Sequence, residues 1–96
     1  MRVTFSGEVW YWRGPAPWFF VTVPDEVGRD IKELSGHVSY GWGMIPATVT
    51  LGGSTWQTSL FPKDGRYVVP LKTQMRRREN VEEGQTVRLD LVVSGR

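Results

Sequence analysis

From Gln85 to Ser94 apolar side chains fall at every second position, with Val87, Leu89, Leu91 and Val93 alternating with Arg88, Asp90 and others. Residues two apart share one face of an extended strand, so this run is a strand with one face to bury. The same period recurs upstream. Val3, Phe5, Gly7, Val9 and Tyr11 make one face of a run from Arg2 to Arg13, with Thr4, Ser6, Glu8, Trp10 and Trp12 on the other. Ile45, Ala47, Val49 and Leu51 likewise oppose Pro46, Thr48 and Thr50. One apolar face per strand is hidden only when a sheet packs on another layer or closes on itself, so the chain is directed to a mainly β architecture.

Glycines, prolines and two helical patterns divide the rest. Gly14-Pro15-Ala16-Pro17 breaks the first run and Trp18 to Val23 returns as a second strand, which makes a hairpin. A strand glycine often marks a bend, so Trp10 and Trp12 either face solvent or are turned inward by a bulge at Gly7. Pro24, the first-turn acids Asp25 and Glu26, and Val27, Ile31 and Leu34 at helical spacing predict a short amphipathic helix closed by Gly36. His37 to Met44, rich in glycine and aromatics, reads as an ordered loop. Pro46 puts the start of the next strand at an edge. Gly52-Gly53 turns that strand into Ser54 to Phe61, and Pro62-Lys63-Asp64-Gly65 turns again into Arg66 to Val69, with Gly65 supplying a positive φ. After Pro70, Leu71 and Met75 followed by Arg76, Arg77 and Arg78 predict a second, shorter helix with a basic last turn. Val81-Glu82-Glu83-Gly84 then leads into the final strand.

Phe20-Val21-Thr22-Val23-Pro24 plus a helix and Arg66-Tyr67-Val68-Val69-Pro70 plus a helix are the same unit, 46 positions apart. The expected fold is therefore a small closed or nearly closed β-barrel of about six strands with two short α-helices and a pseudo-twofold repeat of strand–proline–helix units. Closure removes exposed sheet edges.

A chain of 96 residues is expected to form one domain, residues 1–96. At 40% hydrophobic and 23% charged it is neither disordered nor membrane-embedded in composition. It has no cysteine, which excludes disulfides, Cys-ligated zinc, iron–sulfur clusters and a thiolate nucleophile. Met1 and Arg2 lead into alternation and not into a continuous apolar run, so no signal peptide is expected and a cytoplasmic location is the default. No run approaches the roughly 20 apolar residues of a membrane span. The net charge is +2, and the basic excess lies in the second half, where eight Lys/Arg stand against five Asp/Glu.

Two resemblances rest on that second half. Tyr67-Val68-Val69-Pro70-Leu71-Lys72, then Met75-Arg76, then Val81-Glu82-Glu83-Gly84-Gln85-Thr86-Val87 resembles the strand, helix, glycine–acid turn and strand of the AbrB and MazE swapped-hairpin proteins. Those proteins form double-split barrels as homodimers, and many bind DNA. Trp42-Gly43 with Ile45-Pro46, Gly52-Gly53, Trp56-Gln57-Thr58-Ser59-Leu60-Phe61-Pro62, Asp64-Gly65, Tyr67, Pro70-Leu71-Lys72 and Arg76 is similar to the bacterial family designated domain of unknown function nineteen-oh-five. This second match runs from Phe5-Ser6-Gly7 to Val87. It implies a small barrel in a single chain, built like two fused AbrB-type halves, and brings no established activity. Gln85 stands where the family usually has an acid after the last turn's glycine. Asn80 replaces the family's glycine before that turn and is able to take a left-handed cap.

Three sets of residues are candidates for chemistry. Trp56 and Thr58 on one strand face, with Ser59 beside them and Lys72 and Arg76 facing them if the hairpin folds back, would orient a carboxylate or phosphate in a tryptophan-walled pocket. The bland alternative packs Trp56 and Leu60 in the core, leaves Thr58 and Ser59 as strand surface and solvates the cations. Arg76, Arg77 and Arg78, with Lys72, would hold nucleic-acid phosphates, or simply sit at a helix C-terminus where the dipole favours them. Trp10, Trp12, Trp18 and Trp42 would stack bases or sugars, or pack and form an interface.

Catalytic signals are weak. His37 is the sole histidine, no nucleophile-elbow or G-x-x-x-x-G-K motif occurs, and metal ligation would need His37 with acids such as Asp25 or Glu26 at no recognisable spacing. The expected function is a non-enzymatic binding module for a small anionic ligand, with no catalytic residue, metal or cofactor and no membrane partner, as monomer or homodimer. Nucleic-acid binding is the second reading, and a small enzyme acting on an anionic metabolite is the third.

Overall fold

The three alternating runs and the three segments that return from turns all become strands: β1 (Arg2–Trp12), β2 (Trp18–Thr22), β3 (Ile45–Leu51), β4 (Ser54–Lys63), β5 (Arg66–Pro70) and β6 (Thr86–Val93). Helix α1 (Asp25–Val38) follows β2, and α2 (Thr73–Arg78) follows β5. The computed structural model describes residues 1–38 and 43–93, with backbone alone for residues 35–38. All six ladders are antiparallel and close the barrel in the order β1-β2-β5-β4-β3-β6. A mainly β, closed six-stranded barrel with two helices is thus the architecture.

The apolar faces converge on the axis. Phe5 and Val9 of β1, Val21 of β2, Val49 of β3, Leu60 of β4, Val69 of β5 and Leu89 and Leu91 of β6 are all buried in one cluster. Ile31 of α1 joins it, as do Leu71 and Val81 on either side of α2. Each fully buried Val, Leu or Ile contributes about 1.5–3 kcal/mol relative to exposure, so the register is set by keeping these residues inside.

β1 is long enough to serve two neighbours. It pairs with β6 from Arg2 to Glu8 and with β2 from Val9 to Trp12. Gly7 lies at the changeover, where a Cβ would stand 2.7 Å from Val21 Cγ1. The β1–β6 register runs unbroken through Gly7, so no bulge intervenes and Trp10 and Trp12 face outward. The glycine is used for close approach of β2 at a barrel corner.

Three expectations are refined. Gly36 does not close α1, which continues to Val38; glycine costs a helix about 1 kcal/mol per residue, a penalty that tertiary packing overrides. Of the stretch read as a loop, His37 and Val38 belong to α1, while residues 39–42, Trp42 among them, lie outside the described residues. Pro46 pairs with Ser59 of β4, and β3 has β4 and β6 on its two sides in the closed barrel, so the edge expected at Pro46 is not an edge strand.

The turns behave as their residues dictate. Asp64 and Gly65 both have positive φ, 52° and 79°, between paired Lys63 and Arg66. That is the type I′ hairpin, whose twist matches the strands it joins. Asn80 takes φ 56° just after α2, the left-handed cap position.

Candidate functional site

β5 is half the length of β4, and that mismatch opens the barrel wall. The β2–β5 ladder stops at Phe20 opposite Pro70, and the β4–β5 ladder stops at Phe61 opposite Val68. Leu71 N–H still donates to the Phe19 carbonyl at 2.9 Å, and beyond it the chain leaves for α2, so no strand stands between the start of β2 and the middle of β4. The gap is a groove of ≈ 430 Å³ lined by Ala16, Trp18, Phe20, Trp56, Gln57, Thr58, Phe61, Pro70 and Lys72. Its volume is in the range of small-molecule sites.

The groove has aromatic walls and few polar groups. Trp18 is 40% exposed and Phe61 37%, the largest exposed aromatic surfaces among the described residues. Phe20 is buried between Trp10, at 5.2 Å between ring centroids, and Phe61, at 6.4 Å. These outward-facing rings form a second apolar layer outside the core. Trp56 is 6% exposed and belongs to the core, yet it lines the groove as well. Its buried indole Nε1 has no hydrogen-bond partner. An unsatisfied buried donor costs about 1–3 kcal/mol, so this group stands out. Lys72, exposed at the N-cap of α2, is the single charged residue in the lining among the described residues.

The structure brings Trp56, Thr58 and Lys72 together and leaves Ser59 and Arg76 apart. Ser59 points to the opposite face of β4 from Thr58, the face it shares with Gln57 and Phe61, and is not among the described residues that line the groove. Arg76 folds beneath α2, where its guanidinium carbon lies 4.0 Å from the Phe19 ring centroid and Nη1 donates to the Val81 carbonyl at 3.1 Å. Its Nε is buried without a partner. Arg77 and Arg78 are exposed on α2. Sequence reasoning missed Ala16, Phe20, Gln57, Phe61 and Pro70; the readable signal was the proline that ends a short strand beside a long one.

α2 is clamped over the barrel by polar contacts as well. Glu79 accepts a hydrogen bond from the buried Ser54 hydroxyl at 2.7 Å, and a Cβ at Gly52 would collide with the same carboxylate. The tryptophans of β1 are engaged within the fold. Trp10 Nε1 donates to Thr22 Oγ1 at 2.9 Å, and Trp12 Nε1 donates to the Pro15 carbonyl at 3.1 Å with the Lys63 ammonium 4.1 Å from its ring centroid.

A second, smaller cavity of ≈ 230 Å³ lies between α1 and β5, lined in part by Asp25, Arg29, Lys32, Arg66 and Tyr67. The Arg66 guanidinium there is paired with Asp25 at 3.0 Å. Among the described residues no cluster of three or more His, Cys, Asp or Glu is placed to hold a metal ion, and no helix is long and apolar enough to cross a membrane.

No curated protein matches the chain. Residues 5–91, which span β1 to β6, match the model of the family described as Domain of unknown function (DUF1905), and with that length covered on a closed small barrel the chain belongs to this family.

Proposed function

We propose that the protein is a non-enzymatic binding module, one domain over residues 1–96, that holds a small anionic ligand in the groove beside Pro70. The observation that carries the reading is the groove itself, a volume of ≈ 430 Å³ with Lys72 as its single charge among the described residues. A cation at the mouth of an aromatic cleft attracts an anion and excludes other cations. Trp56 and Thr58 form the inner wall. Ser59, beside Thr58 on β4, and Arg76, under α2, support the site through the fold. Saturable thermal stabilisation by small anions, reduced in Lys72→Ala, is the test; a melting temperature indifferent to every anion refutes the proposal.

The exposure of Arg77 and Arg78 on α2 favours a second reading, nucleic-acid binding, with Arg76 anchoring the helix that presents them. It predicts oligonucleotide affinity that falls steeply with salt and is lost in an Arg77/Arg78 double alanine variant.

The pseudo-twofold repeat has support in the register. Thr22 faces Val68 in the β2–β5 ladder and Ala47 faces Val93 in the β3–β6 ladder, each pair 46 positions apart. A dyad relating β1-β2-α1-β3 to β4-β5-α2-β6 requires equivalent residues to meet across both ladders. The chain then contains in one polypeptide the two halves that AbrB-like proteins assemble from two.

A further inference from the structure

We infer that the ligand of the groove is an aromatic monocarboxylate whose ring lies between Trp18 and Phe61 and whose carboxylate is shared by Lys72 and the indole N–H of Trp56. The inference rests on the proposed reading of the groove as an anion site and names the class of ligand.

Charge comes first. Among the described residues the lining holds one cation and no acid, and Lys72 makes no ion pair. One unit of negative charge is therefore matched, whereas a polyanion such as a nucleotide would face a single ammonium.

The walls decide what carries that charge. Trp18, Phe20, Phe61 and Trp56 surround the groove, and Trp18 and Phe61 keep broad faces open. Flat rings gain from offset and edge-to-face contacts with such faces beyond simple area. A sugar, which also stacks on tryptophan, needs several donors and acceptors around its rim. Among the described residues the lining offers only Gln57, Thr58, Lys72 and the Trp56 N–H.

The third observation is the orphaned donor. Trp56 is more than nine-tenths buried, lines the groove, and has an Nε1–H with no acceptor among the described residues. A carboxylate oxygen is the strongest acceptor a small organic ligand brings, and a charged acceptor roughly doubles the strength of the bond. In the inferred pose the ammonium of Lys72 and the indole N–H both donate to the one carboxylate, while the rings hold the body of the same molecule.

Calorimetric titration of the full chain with 1-naphthoate, its neutral amide 1-naphthamide, acetate and inorganic phosphate tests this. 1-Naphthoate is expected to bind at one site, with the amide and acetate each weaker by about tenfold or more. Lys72→Met is expected to bring naphthoate down to the affinity of the amide. Trp56→Phe, which keeps the ring and removes the donor, is expected to weaken naphthoate by about tenfold in a protein whose unfolding transition is retained. Acetate or phosphate binding as tightly as naphthoate overturns the inference and leaves the anion site standing. Heat with none of the four compounds overturns both. Unchanged naphthoate affinity in Trp56→Phe overturns the shared-carboxylate geometry.

Discussion

Gly7 and Arg76 show how single side chains serve the barrel wall. At Gly7 the missing Cβ lets Val21 approach, and Gly7→Ala forces atoms to 2.7 Å. Overpacking of this kind costs about 1–3 kcal/mol, so the urea midpoint of Gly7→Ala is expected to fall accordingly. Arg76 is basic like its neighbours, yet its guanidinium stacks on Phe19 and donates to Val81. Arg76→Ala is expected to lose about 1–3 kcal/mol on urea unfolding, while Arg77→Ala, an exposed residue, stays within about 0.5 kcal/mol of the parent. Equal effects at the two positions would show that the stack and the carbonyl bond add nothing. In the sequence these three arginines are indistinguishable, because burial at position 76 depends on where Phe19 and Val81 come to lie. Likewise, Trp56 reads equally as core or as pocket, and it is both.

Among the elements, turns were the most legible because their chemistry is local. Asp64-Gly65 demands positive φ at both residues, which is why the β4–β5 hairpin is readable as a string. Gly65→Ala is expected to cost about 1 kcal/mol, whereas Gly53→Ala, where φ is not left-handed and the nearest atom is 3.9 Å away, is expected to be close to neutral; paired thermal melts measure the difference. The end of α1 was less legible, since the glycine expected to stop it lies inside the helix. α2 is too short to be stable alone and is held by its contacts, among them Glu79 over Gly52 and Ser54. Glu79→Ala strands the buried Ser54 hydroxyl, and the expected loss is about 1–3 kcal/mol by denaturant titration, largely recovered in Glu79→Gln. No difference between the two variants would remove the hydrogen bond as the cause.

At the scale of the whole molecule the barrel is closed, so each strand is braced on both sides. Leu91 faces Val3 across one ladder and Val49 across the other, and it is fully buried. Leu91→Ala is expected to cost about 2–5 kcal/mol and to move the far-ultraviolet circular dichroism and tryptophan fluorescence transitions together. Separate transitions would show that the two groups of strands unfold independently. The groove is also a property at this scale, for it belongs to no single strand. It exists because β5 ends at Pro70 while β2 and β4 run on past it.

By itself the sequence determined what is local or periodic. Alternation at period two named β1, β3 and β6 with their buried faces, the break at Gly14-Pro15-Ala16-Pro17 named β2, Gly52-Gly53 and Asp64-Gly65 named the hairpins that return as β4 and β5, and the proline-led segments after β2 and β5 named two helices. Tertiary structure alone decided the neighbours, because an alternating strand is satisfied by any partner that covers its apolar face. Closure placed β5 between β2 and β4, put Trp18 and Lys72 in one groove with Trp56, and left Ser59 and Arg76 out of it. Side chains far apart in sequence share a site only through that strand order, which is a long-range outcome of burying one core.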